Sequence, residues 1–105
     1  MKQSYAVILT TAGSREDAEA IARHLVTSRL AACVQLLPIH SFYRWDGAIQ
    51  SEDEVLLLVK TRGALFEKIE AAIKEVHTYD VPEIVSLPIS AGFEKYLSWI
   101  DEETE

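Results

Sequence analysis

The stretch HTYDVPEI, residues 77–84, separates a helical pattern from a short apolar run, and it decides how the second half of the chain divides into elements. Pro82 disfavours a helical conformation at Val81, so the helix before the stretch must end and a strand can follow. The same eight positions hold an imidazole, a phenol and two carboxylates. We therefore expect this connection to fix the topology and to offer potential ligand atoms.

The segments on either side of this stretch have clear periodic patterns. A helix opens at Gly63 and carries apolar side chains at helical spacing. After the stretch, residues 84–89 predict a last strand, and Pro88 indicates that it ends there or lies at a sheet edge. Ser90 is placed to cap a short final helix, and residues 101–105 read as an acidic tail.

The chain begins with a strand and a helix of the same kind. Residues 5–11 are β-branched and apolar, which predicts a buried first strand. Ser14 and Asp17 fit a capping box for a helix that ends near Ser28. Its predicted buried face comprises Ala18, Ile21, Ala22, Leu25 and Val26.

A long hairpin is predicted between the two helices. Residues 31–45 have a strand pattern that Pro38 interrupts, which implies a bulge or an edge position. The Asp46-Gly47 pair is typical of a two-residue hairpin turn, and the return strand runs on to Thr61. Both strands are longer than a sheet of this size needs.

The order β-α-β-β-α-β with a terminal helix predicts an α+β fold, in which a ferredoxin-like antiparallel sheet carries helices on one face, as a single domain over residues 1–105. In such a fold the second sheet face usually shows polar residues, yet residues 55–59 are apolar at every position. We expect another copy of the chain to cover that face, with the hairpin at the interface. The alternative is that the terminal helix covers it.

Composition excludes several partners. The net charge of −7 argues against binding to nucleic acid or to an anionic membrane surface. The one cysteine, Cys33, cannot form an intrachain disulfide, which suits a reducing compartment. The sequence has neither a signal-peptide pattern nor an apolar run long enough to span a bilayer, so we expect a cytoplasmic location.

Five motifs, in order and at matching separations, resemble the CutA divalent-cation tolerance family. They are LAACV at 30–34, SFYRWDG at 41–47, the segment from Glu54 to Thr61, HTYDVPEI at 77–84 and YLSW at 96–99. The resemblance implies a ferredoxin-like homotrimer that acts in tolerance of divalent metals, with Cu(II) or another divalent cation bound and no organic cofactor. It also implies a fold relationship to the trimeric PII signalling proteins.

The sequence departs from the family pattern at three positions. Thr78 stands where the family commonly has proline after the histidine. Metal-binding interpretations of the family also use a cysteine near the end of the first strand and a second histidine beside the first. The corresponding residues here are Thr10 and Val76, so two soft ligands are missing.

Four side chains are candidate metal ligands: His77, Asp80, Glu83 and Cys33. A neutral imidazole suits Cu(II) or Zn(II), and the two carboxylates could complete a mixed nitrogen and oxygen site. His77 equally fits a role at the C-terminus of the preceding helix, where a partly charged imidazole is favoured. Cys33 lies in a strand that is apolar on both sides, which is typical of a small core residue.

A second group of residues is expected at a ligand pocket or a subunit interface. Lys60 ends an apolar strand, and buried lysines are rarely unpaired. Glu54 or the Asp80 and Glu83 pair could supply its counter-charge, and we expect such an ion pair near a subunit boundary. His24 and His40 show no partner in the sequence and are interpreted as surface or interface residues. The interface or pocket group comprises Tyr43, Trp45, Glu54, Lys60, Tyr79 and Trp99.

Two other functions compete with metal binding. The first is a PII-like trimer whose clefts between subunits hold a small anion near Lys60, without a metal role. The second is an enzyme on this fold such as an acylphosphatase, which needs an asparagine to orient water, and the chain has none. We therefore expect a binding protein and not an enzyme.

Overall fold

The computed structural model describes residues 4–105, so the first three residues of the predicted domain lie outside the described part. Its four strands form one antiparallel sheet in the order β2-β3-β1-β4. The α+β, ferredoxin-like prediction is confirmed. The elements are β1 (Tyr5–Ala12), α1 (Arg15–Thr27), β2 (Cys33–Trp45), β3 (Ala48–Arg62), a 3₁₀ turn (Gly63–Leu65), α2 (Phe66–Val76), β4 (Ile84–Pro88) and α3 (Glu94–Glu103).

Helices α1 and α2 pack on one face of the sheet and enclose the core. The Ser14 hydroxyl accepts a hydrogen bond from the Asp17 backbone N–H at 3.1 Å, which confirms the predicted cap of α1. Val26, predicted on the buried face, is 44% exposed because it lies about 100° around the helix from Leu25. The largest fully buried side chains include Ile8, Ile21, Leu25, Leu57, Ile69 and Ile73.

The hairpin of β2 and β3 is continuous from the Cys33–Lys60 pair to the Trp45–Ala48 pair. Pro38 faces Val55 in register, so no bulge forms there. The edge position predicted from Pro38 is confirmed, because β2 is the outer strand and the missing N–H costs no ladder bond. The hairpin gives the molecule a long axis of 46 Å.

The cross-strand register divides the sheet into a helix-covered face and an open face. The open face carries a strip of apolar residues: Val7, Leu9, Leu37, Leu56, Leu58, Val85 and Leu87. Helix α3 lies against one end of it, where Tyr5 donates to Asp101 at 2.5 Å and the Arg62 Nε donates to Thr104 Oγ1 at 2.9 Å. Leu37, Val85 and Leu87 remain 51%, 45% and 49% exposed. The terminal helix therefore does not cover this face.

Helix α3 differs from its prediction at both ends. Ser90 does not cap it, because Phe93 is the N-cap residue and Ser90 lies too far before the first turn to reach its amides. The acidic residues predicted as a tail continue the helix to Glu103. Arg29 supports this end by donating from Nη2 to the Glu102 carbonyl at 2.6 Å. None of the helices in residues 4–105 is long and apolar enough to cross a membrane.

Candidate functional site

The connection after α2 is held against the end of β1 by one imidazole. His77 Nε2 lies 2.6 Å from the Thr11 carbonyl oxygen, and His77 Nδ1 lies 3.0 Å from the Tyr79 backbone nitrogen. A carbonyl only accepts, so Nε2 carries the proton and Nδ1 accepts from the Tyr79 amide. The His77 backbone N–H also donates to the Ile73 carbonyl at 2.9 Å. Both ring nitrogens are therefore engaged, and the lone pair on Nδ1 is already used by the Tyr79 amide.

Tyr79 extends from the same connection to the open face. Its hydroxyl donates to Glu54 Oε2 at 2.7 Å, and its ring lies 4.7 Å from the His77 ring, centroid to centroid. Burial and the neighbouring Glu54 carboxylate raise the pKa of Tyr79 well above its ordinary value. Gly13 makes room for this phenol, since a Cβ there would stand 3.2 Å from the Tyr79 hydroxyl oxygen.

A second tyrosine and carboxylate pair lies beside the first. Tyr43 donates to Glu52, and this hydrogen bond raises the pKa of the Tyr43 phenol. Glu52 and Glu54 are two residues apart on β3, so their side chains share the open face. Among residues 4–105 neither carboxylate forms a salt bridge. Each carboxylate accepts a hydrogen bond from a phenol.

The ion pair predicted for Lys60 does not form within the chain. Lys60 Nζ donates to Gln35 Oε1 at 2.9 Å and lies 5.9 Å from the Tyr96 ring centroid. Glu54 is six residues away along β3, or about 20 Å at the rise of a strand, so it cannot supply the counter-charge within one chain. An ion pair across a subunit boundary stays a prediction. Trp99 stacks beside this group at 5.6 Å from Tyr96, ring to ring.

The four candidate metal ligands are not brought together. Cys33 is half-buried and lies opposite Lys60, whose other neighbour is Val7. His77 bonds the Thr11 carbonyl. Thr11 is four residues after Val7 on β1, so this bond lies about 13 Å along the strand from the Cys33 and Lys60 pair. Asp80 and Glu83 are exposed in the connection. Within residues 4–105 no group of three or more His, Cys, Asp or Glu side chains could hold a metal ion. The four candidate ligands therefore do not share a site within one copy of the chain.

The structure also shows a histidine partnership that was not predicted. His40 was interpreted as having no partner, but its Nδ1 lies 2.7 Å from Asp53 Oδ1 and its Nε2 lies 2.7 Å from Ser51 Oγ. The signal was present in the sequence. A two-residue turn at Asp46-Gly47 pairs residues whose numbers add to 93, which places position 40 opposite position 53.

The chain is similar to known proteins over almost its entire length. The family model described as CutA1 divalent ion tolerance protein matches residues 6–103. The divalent-cation tolerance protein CutA of Thermus thermophilus is 48% identical over 99 residues, which cover 93% of this chain and 96% of that protein. The chloroplastic CutA protein of Arabidopsis thaliana is 42% identical over 93% of this chain, and the match spans 54% of that longer protein.

Solved structures agree with these sequence matches. The CutA structure from Archaeoglobus fulgidus, described as a periplasmic divalent cation tolerance protein, has a TM-score of 0.95 and 42% identity, covering 96% of this chain and 99% of that chain. The Thermus thermophilus structure has a TM-score of 0.93 and 47% identity, with the same coverage of both chains. The family model and these identities are sufficient to establish membership. The chain belongs to the CutA1 divalent ion tolerance family.

Proposed function

We propose that this protein is a cytoplasmic homotrimer that acts in divalent-cation tolerance by binding a divalent cation, Cu(II) foremost, at a site completed between copies of the chain. The observation that carries the proposal is the uncovered apolar strip of the open face, together with family membership. The number three comes from the family resemblance. The half-buried thiol of Cys33 is compatible with a reducing compartment.

The open face supports assembly because its apolar residues are contiguous across all four strands. Val85 and Leu87 on β4 flank Leu9 and Val7 on β1, and Leu37 lies on β2 beyond β3. Contiguous apolar patches on soluble proteins usually mark interaction sites, since exposing them to water is unfavourable. Tyr43 and Trp45 continue this face along the hairpin, with 39% and 52% of their surface exposed.

Cation binding is supported by the charge of the same face. Glu52 and Glu54 lie side by side on β3 without a salt bridge among residues 4–105. Carboxylate oxygens are common ligands of divalent cations, and an imidazole raises the preference for copper. His77 would have to release either the Thr11 carbonyl or the Tyr79 amide to act as a ligand. A site shared between copies is therefore the arrangement that we propose.

Isothermal titration of the metal-free protein with Cu(II) tests this proposal. The wild-type protein should bind Cu(II), and His77→Ala should bind more weakly, since it loses the imidazole that the proposed site uses. His24→Ala, which removes a histidine from α1, is the matched control and should bind as the wild type does. Equal binding by all three proteins would remove His77 from the site, and no binding by the wild type would refute the proposal.

A second function is favoured by one observation, the lack of an acidic partner for Lys60. Among residues 4–105 its ammonium is satisfied by the Gln35 amide and the Tyr96 ring. A small anion held between copies would supply the missing charge, as in a PII-like binding protein without a metal role. Thermal unfolding in the presence of nucleotides separates the two functions: a higher Tm that Lys60→Met abolishes, without any Cu(II) binding, would favour the second.

A further inference from the structure

Three side chains form a hydrogen-bonded chain on the helix-covered side of the hairpin. His40 on β2 lies directly opposite Asp53 on β3, and Ser51 is two residues before Asp53, so all three side chains share one face. Asp53 Oδ1 is 2.7 Å from His40 Nδ1, and His40 Nε2 is 2.7 Å from Ser51 Oγ. None of the three belongs to the Tyr79 and Glu54 site.

The hydrogen bonds determine the direction of proton transfer along this chain. An ionised carboxylate only accepts, so the Nδ1 of His40 carries the proton that is donated to Asp53. In the neutral imidazole Nε2 is then the acceptor, and the Ser51 hydroxyl donates to it. A carboxylate, an imidazole and a serine in this order form the arrangement that increases the nucleophilicity of a serine hydroxyl. The Phe42 ring packs edge-on against His40 at 5.0 Å and restricts its orientation.

Two of the three residues, His40 and Asp53, line an open cleft, and Ser51 is not among the residues that line it. The cleft has a volume of about 600 Å³ and is lined by His40, Asp53, Ser14 and Arg15 among others. Arg15 is the first residue of α1, which has 13 residues, so the positive end of the helix dipole lies at the cleft. The helix dipole therefore favours a negatively charged substrate group in the part of the cleft beside Arg15.

If His40 only stabilised the hairpin, its contact with Asp53 on the neighbouring strand would be enough. The hydrogen bond from Ser51 to the second ring nitrogen goes beyond that requirement. Metal ligation is the other use of such a histidine, but within residues 4–105 no cluster of three suitable ligands exists.

We propose that Ser51 is an activated nucleophile that, with His40 and Asp53, hydrolyses small esters. Ser51 Oγ forms a bond to the acyl carbon, the bond from that carbon to the leaving alkoxide breaks, and the serine proton passes through His40 Nε2 to the alkoxide. Water then attacks the acyl carbon and gives its proton to His40, which returns it to Ser51 Oγ as the carboxylic acid leaves. No oxidant or cofactor is required, because the second reactant is water.

Hydrolysis of p-nitrophenyl acetate by the full-length protein tests the proposal. Ser51→Ala should lower the protein-dependent rate at least tenfold, in line with the ~10²–10⁴ that a positioned base contributes. Ser41→Ala is the matched control, because Ser41 lies on the same hairpin but on its other face, opposite Glu52. It should keep the wild-type rate, and Asp53→Asn should lower the rate while leaving the fold intact.

Covalent labelling separates catalysis from a structural role. A fluorophosphonate probe should attach to Ser51, as located by peptide mass spectrometry, and His40→Ala should abolish the attachment while circular dichroism still reports a folded protein. A purely structural chain would change stability but would not direct the probe to one serine. Equal esterase rates for wild type and Ser51→Ala, or the absence of label on Ser51, would overturn the proposal.

Discussion

At the scale of single residues, His77 shows how a side chain can serve structure where a ligand was expected. Its two ring nitrogens bind the Thr11 carbonyl and the Tyr79 amide, so it joins the end of β1 to the start of the connection. Both interpretations made from the sequence used the imidazole, as a ligand or at a helix end. In the structure His77 forms hydrogen bonds to the backbone through both ring nitrogens, and a metal ion could bind the ring only by displacing one of them.

The Tyr79 phenol should make the stability of the protein depend on pH in the alkaline range. Because the pKa of its phenol is raised above the ordinary 10.0 by burial and by Glu54, the unfolded chain loses this proton first as the pH rises. The stabilisation from Tyr79 is therefore fully present below about pH 10 and is lost as the pH rises towards the folded value. Tyr79→Phe should lower the free energy of unfolding by about 1 kcal/mol at neutral pH.

Alkaline titration of phenolate absorbance, with urea unfolding at about pH 8 and about pH 11, measures this effect. The wild-type protein should show a late-titrating phenol that is absent from Tyr79→Phe, and its free energy of unfolding should decline more steeply between the two pH values. Tyr96→Phe, which removes a phenol from α3, is the control. Identical titration curves for wild type and Tyr79→Phe would contradict the prediction.

At the scale of elements, the hairpin depends on its two-residue turn. Asp46 and Gly47 have φ values of +53° and +76°, as a type I′ turn requires. A Cβ at position 47 would meet nothing within 4 Å, so a substitution there affects only the backbone conformation. Gly47→Ala should lower the free energy of unfolding by about 1 kcal/mol, since an alanine is strained in this region.

Gly47→Asn is the matched variant for the turn, because asparagine adopts positive φ more readily than alanine. Its cost in urea unfolding, measured at one fixed protein concentration, should be smaller than that of Gly47→Ala. If both variants unfold at the same urea concentration as the wild type, then the turn does not determine the stability of the hairpin.

At the scale of the whole molecule, the open face is expected to drive assembly. Val85 on that face and Val26 on the outer side of α1 are equally exposed, at 45% and 44%. A charge at position 85 would be buried between copies, whereas a charge at position 26 would remain in water. Val85→Glu should therefore dissociate the assembly, and Val26→Glu should not.

Light scattering at micromolar concentration measures this difference. The wild type and Val26→Glu should have three times the chain mass of 11.8 kDa, and Val85→Glu should have a lower mass. A single-chain mass for the wild type would refute the homotrimer and, with it, the proposed cation site between copies.

Part of the candidate site followed from local patterns. The His77 connection was located because Pro82 ends a helical pattern, and the hairpin register already implied that His40 faces Asp53. Among residues 4–105 Lys60 has no acidic partner, since Glu54 lies about 20 Å away on the same strand, and an ion pair across a subunit boundary stays a prediction. The sequence specifies which face a side chain shares, whereas the partner it reaches depends on where helices and connections cross that face.

The sequence by itself determined the order of elements, the register of the hairpin and the apolar character of both sheet faces, because these depend on periodicity and turn chemistry over short distances. Only the tertiary structure decided that α3 leaves most of the open face uncovered, that His77 binds the backbone of β1, and that Glu54 accepts from Tyr79. Each of these contacts joins segments that are distant in sequence. Their geometry is set by the packing of the whole chain and not by any local pattern.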